Sequence, residues 1–142
     1  MANNAATTAR NARAATRNAP GMCLQYSRRW AGIPQRYPDA ATAWRNANDK
    51  HRDKKPPRGA AVYWTGGSRG FGHIAISMGG GRVRSTDADG WGRVATRPIG
   101  WFGRHWPKLK YAGWAWDINE VTIPHRKPPA KKAAARKPAG RK

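Results

Sequence analysis

The chain has 142 residues, with 28 Lys or Arg against 7 Asp or Glu, for a formal net charge of +21. That length supports one modest core plus tails. A single cysteine excludes an intrachain disulfide, and no run approaches the roughly 18 apolar residues of a membrane span.

The charge is uneven. Residues 125–142 carry 8 basic residues and no acid, and residues 1–19 carry 3 basic residues and no acid. Residues 20–124 therefore keep 17 basic and 7 acidic residues, a net +10. Even the folded part is cationic, which points to an anionic partner such as nucleic acid, wall polymer or headgroup. The opening Met-Ala-Asn-Asn-Ala-Ala-Thr-Thr-Ala-Arg has no apolar core of the secretory type. The expectation is synthesis in the cytoplasm without a Sec signal.

Residues 4–18 are rich in Ala, Arg and Thr and predict a weakly amphipathic helix that leans on the domain and ends before Pro20. Pro20-Gly21 then breaks the chain. Met22, Tyr26 and Trp30 recur at helical spacing, and Gly32-Ile33-Pro34 stops that helix. Cys23 falls in its first turn, where unpaired N–H groups and the macrodipole favour a thiolate. The plainer alternative is a small buried hydrophobe.

Tyr37-Pro38-Asp39 opens a second helix, with Pro38 near N1 and Ala40, Ala43, Trp44 and Ala47 on one face. Residues 48–58 read as a charged loop. From Ala60 the period becomes strand-like: Ala60–Trp64, His73–Met78, Arg82–Thr86, a strand near Arg93–Pro98, and a closing strand Tyr111–Ile118. Gly79-Gly80-Gly81 supplies a hairpin turn, and Trp101–Trp106 a helical turn. Helices followed by an antiparallel meander give an α+β class. After Pro124 the composition collapses to Lys, Arg, Ala and Pro, predicting a disordered basic tail over 125–142. The organisation is thus an arm (1–19), a domain (20–124) and a tail.

A thiol nucleophile needs a base, and the base needs an orienting group. Of the four histidines, His51 lies in the charged loop, His105 in a turn and His125 at the root of the tail. His73 opens an apolar strand behind Gly70-Phe71-Gly72, where a substrate has room to approach. Its alternative is a structural role. The hairpin brings Ser85, Thr86 and Asp87 alongside it. A carboxylate holds an imidazole tautomer better than a hydroxyl, so Asp87 is the first choice for the third position and Ser85 the second. Asp87 could instead cap a turn.

These marks resemble the NlpC/P60 and CHAP superfamily of papain-like cysteine peptidases and amidases that cut peptidoglycan. The likeness covers about residues 20–118. It rests on the cysteine that opens the first core helix, on Pro57-Arg58-Gly59-Ala60-Ala61-Val62-Tyr63-Trp64, and on Gly72-His73-Ile74-Ala75-Ile76-Ser77-Met78-Gly79. It is greatest toward the small CHAP-like proteins of actinobacteria and their phages. The resemblance implies a papain-like domain with Cys23 as nucleophile, His73 as base and a third residue within Ser85–Asp87. The cysteine is followed by Leu24-Gln25-Tyr26 where NlpC/P60 proper has Asp-Cys-Ser-Gly, and the third residue is not histidine. Both departures favour the CHAP-like side.

The implied activity is an endolysin-like amidase or endopeptidase acting on the stem peptide. Such an enzyme would reach the wall after holin-type release or within a phage virion, and it requires no cofactor. Spacing offers no metal-ligand set. Trp30, Trp44, Trp64 and Trp114 read as core. Trp91 and Trp101 lie near loops after the site and could stack on sugar rings. Interleaved Arg and aromatic residues also admit a nucleic-acid-binding protein, without any accompanying motif. A catalytically inactive wall-binding or virion relative is the other alternative. The tail would bind anionic wall polymer or DNA electrostatically.

Overall fold

The computed structural model describes residues 2–125. The expected tail, apart from His125, lies outside the described residues. In chain order the elements are α1 (Ala5–Ala14), α2 (Cys23–Trp30), α3 (Ala40–Arg45), β1 (Lys50–His51), β2 (Ala61–Gly66) and β3 (His73–Gly79). They continue with β4 (Arg82–Ser85), β5 (Ala95–Pro98), α4 (Ile99–His105), β6 (Leu109–Ala115), β7 (Asp117–Ile118) and β8 (Val121–Thr122). The class is α+β with a small antiparallel sheet: six strands in the order β1-β6-β2-β3-β4-β5, and a separate β7–β8 pair.

The arm is built into the core. Asn4 caps α1 by accepting from the Thr7 N–H at 2.8 Å. Ala9 and Ala12 are fully buried, their small side chains letting α1 lie close on the domain. The helix stops at Ala14, short of the expected end, because the chain beyond it is held in an extended form. The Arg84 guanidinium donates to the carbonyls of Ala12 and Ala15, and the Val94 N–H donates to the Thr16 carbonyl. Before α3, Asp39 is the cap, accepting from the Thr42 N–H and hydroxyl. Pro38 stands one residue before the cap and outside the helix, not at N1.

The strands β2 to β5 form the expected meander, with Gly79, Gly80 and Gly81 all at positive φ in the β3–β4 turn. The last long strand departs from expectation. Instead of closing an edge, β6 inserts between β1 and β2, with Val62 opposite Trp114 and His51 opposite Trp114 on the other side. The two-residue β1 lies within the stretch expected to be loop and is too short to leave a periodic signal. The expected Tyr111–Ile118 strand is interrupted at Trp116, and β7 turns back into β8 through Asn119 and Glu120, both left-handed.

Alternation along the strands sorts the core into two faces. Tyr63 packs on Trp44 of α3, and Arg84 reaches α1, so α1 and α3 share one face. Trp64 and its cross-strand partner His73 turn to the other, against Phe102 of α4. Trp30, Trp44, Trp64 and Trp114 are all buried. Among the described residues, no helix is long and apolar enough to cross a membrane.

Candidate active site

Cys23 is the first residue of α2, preceded by Met22, whose side chain makes no capping hydrogen bond. The backbone N–H groups of Cys23 and Leu24 therefore bear on the sulfur, as the macrodipole argument predicts. A third N–H comes from Ile74, the residue after His73. Strand pairing explains why that group is available. The Ser77 N–H bonds to Ala60 of the chain leading into β2, so the alternate residues 73, 75 and 77 exchange hydrogen bonds on that side. The Ile74 N–H turns the other way, toward β4, whose pairing with β3 reaches no further than Ile76 opposite Arg84. The thiol occupies the place of the missing strand partner.

Burial outweighs these donors. Cys23 is half-buried at the floor of a cleft, and desolvation pushes its thiol up to about 11, with Asp87 adding to the rise. The helix start thus does not make a resting thiolate, contrary to the expectation from position alone.

His73 is the first residue of β3. Gly72 before it, at φ +71°, has no room for a side chain, since a Cβ would lie 2.5 Å from the Trp64 carbonyl. The imidazole is enclosed by Trp64, Phe102 and Trp106, and this burial lowers its pKa to about 4, opposed in part by Asp87. Its Nε2 lies 2.7 Å from Ser85 Oγ. The Ser85 hydroxyl donates to the Thr86 carbonyl at 2.8 Å, so its oxygen accepts from Nε2–H. Assigned from these partners, the ring proton lies on Nε2 and Nδ1 keeps its lone pair. Among the described residues, no hydrogen bond engages Nδ1 or joins the imidazole to the thiol directly.

Ser85, the second choice, and not Asp87, the first, is the residue hydrogen-bonded to the His73 ring. The Asp87 carboxylate is fully committed elsewhere: Oδ1 accepts from Asn18 Nδ2 (2.8 Å) and the Gly92 N–H (2.8 Å), and Oδ2 accepts from the Gly21 N–H (2.9 Å). Its own N–H donates to Asn18 Oδ1, and its backbone is left-handed at φ +57°. Asp87 thus ties the loop before Cys23 to the loop after Ser85. Sequence reasoning missed Asn18, which lies 69 positions away with no motif to mark it.

The cleft over the thiol encloses about 160 Å³ and is lined by Met22, Gln25, Arg28, Tyr37, Phe71 and neighbouring backbone. A larger hollow of about 380 Å³, bounded by Trp64, Ile99 and Tyr111, contains none of the candidate residues. His51, His105 and His125 each stack on a tryptophan (Trp114, Trp101 and Trp116) away from the thiol. Among the described residues, no three His, Cys, Asp or Glu side chains gather as a metal site. Compared with known proteins, the chain matches no family model, no curated protein and no solved structure.

Two stability predictions follow from this geometry. Because the folded state holds His73 at about 4, against 6.5 for a free histidine, the unfolded chain takes the proton first. Its contribution of about 3 kcal/mol is fully present above pH 6.5 and is lost as pH falls toward 4. Urea titrations should show that loss in wild type and a flatter acid limb in His73→Gln. Asp87→Ala leaves buried donors unpaired and should cost about 3 kcal/mol in the same assay.

Proposed function

We propose that the protein is a cysteine amidase or endopeptidase of papain-like design that hydrolyses an amide bond of the peptidoglycan stem peptide. The observation that carries the reading is the 2.7 Å pair of His73 Nε2 and Ser85 Oγ, on a buried imidazole one residue from the strand N–H that bears on the only thiol. A thiol and a neutral imidazole are the resting partners. The Cys23 sulfur attacks the amide carbonyl carbon while His73 Nδ1 takes the thiol proton. The N–H groups at the start of α2, free of a side-chain cap, stabilise the oxyanion. The imidazolium then protonates the leaving nitrogen as the C–N bond breaks. Water, deprotonated by His73, cleaves the thioester to a carboxylate and restores the thiol. Ser85 orients the base, and Asp87 holds the Gly21–Cys23 approach in place.

The peptidoglycan substrate comes from the resemblance set out in the sequence analysis, together with the cationic surface. Release of muropeptides from purified wall tests the reading. Wild type should solubilise the wall and Cys23→Ala should not. Ser85→Ala should retain activity reduced about tenfold, the effect of losing one orienting hydrogen bond. A wild type inert on several wall types under reducing conditions would overturn it.

A second reading, binding to a polyanion such as nucleic acid, is favoured by the placement of the acids. All seven carboxylates are used locally: Asp39, Asp87 and Asp117 accept backbone N–H groups, Asp53 accepts from Lys55 and Trp114, and Asp49, Asp89 and Glu120 meet His51, Arg97 and Arg36. Of the described Lys and Arg residues, only Arg36 and Arg97 pair with a carboxylate. On this reading, duplex DNA is bound with a steep salt dependence that Cys23→Ala does not alter. Absence of binding at low salt would exclude it.

A further inference from the structure

Three large apolar side chains stand exposed among the described residues: Met22, Phe71 and Trp91. Two of them flank the thiol. Met22 precedes the nucleophile, Phe71 lies two residues before His73, and both line the cleft. Trp91 is the most exposed, at 77 %. It lies outside that cleft on the β4–β5 loop, joined to it by one carboxylate: Asp87 accepts from Gly92, next to Trp91, and from Gly21, two residues before Cys23.

The Trp91 loop is held by backbone. The Asn18 N–H donates to the Gly92 carbonyl and the Arg93 N–H to the Gly90 carbonyl. Gly90 and Gly92 flank the indole and put no side chain beside it. A solitary indole with bare backbone on each side offers a flat apolar face. That shape suits a single ring laid on it more than the broad apolar patch a protein partner would need. A cleft of about 160 Å³ holds only a residue or two of substrate. A ring laid on Trp91 lies outside that cleft.

We propose that Trp91 is a sugar platform, stacking its indole on the C–H face of a pyranose in the glycan strand. This rests on the hydrolase reading and deepens it. The bond presented to Cys23 is one close to the glycan, in a peptide still attached to its sugar, and not one in a distant cross-bridge.

Trp91→Ala and Trp91→Tyr test this on two substrates that share one stem peptide, a disaccharide-linked form and the free peptide. Trp91→Ala should lower kcat/KM on the disaccharide form at least about tenfold more than on the free peptide, mainly through KM, and Trp91→Tyr should recover most of the difference. Equal losses on both substrates, or no loss, would overturn the proposal. Pull-down on peptide-free glycan strands separates it from the catalytic reading. If wild type binds these strands and Trp91→Ala does not, the platform stands even when no bond is cut. If wild type cuts and Trp91→Ala matches it on both substrates, the platform falls and the hydrolase reading stands. Binding of Trp91-dependent type to a single-stranded oligonucleotide, and not to glycan, would overturn it as well.

Discussion

The contact between the first turn of α2 and the first residues of β3 is the one on which the rest depends. Pairing between β3 and β4 ends early, and the Ile74 N–H that would have met a strand partner meets a thiol instead. One residue back, the same strand turns an imidazole to the opposite face, into a wall of Trp64, Phe102 and Trp106. A helix end and a strand end are thus brought together at the edge of the pairing. The aromatic wall and the Asp87 tie hold them there from either side.

Burial sets the chemistry of this pair. It raises the thiol and lowers the imidazole, so both rest uncharged near neutral pH. In the proposed mechanism, charge develops only when a substrate carbonyl accepts the sulfur, beside the N–H groups at the start of α2. On the same proposal, a hydroxyl at Ser85 suits the orienting position better than a carboxylate would. A hydroxyl fixes the tautomer without placing a second buried charge beside an already desolvated ring. Asp87 is surrounded by three donors, Asn18 Nδ2 and the Gly21 and Gly92 N–H groups, and ties two loops together.

Much of this was legible in the sequence, and the losses have physical causes. The α2 helix and the β3–β4 hairpin follow from local signals: a Pro-Gly break, a helical apolar spacing and three consecutive glycines. The β6 insertion was not legible, because strand order is decided by long-range packing and leaves no local mark. Asp87 is not on the imidazole because the Asn18 amide and the Gly21 and Gly92 N–H groups hold its carboxylate, partners that leave no local mark. The thiolate expectation failed for a similar reason: helix position is local, whereas desolvation depends on what packs around the sulfur. The end of α1 was misjudged because Arg84, 70 residues on, takes the carbonyls that another helical turn would use.

The measurement closest to the central claim is intact-mass and peptide-level mass spectrometry after acid quench of the protein turning over a stem-peptide substrate. The account predicts an adduct equal in mass to the acyl half of the cleaved peptide, located on Cys23 and labile to hydroxylamine as a thioester is. Cleavage that proceeds with Cys23 unmodified throughout, and equally well in Cys23→Ala, would contradict it.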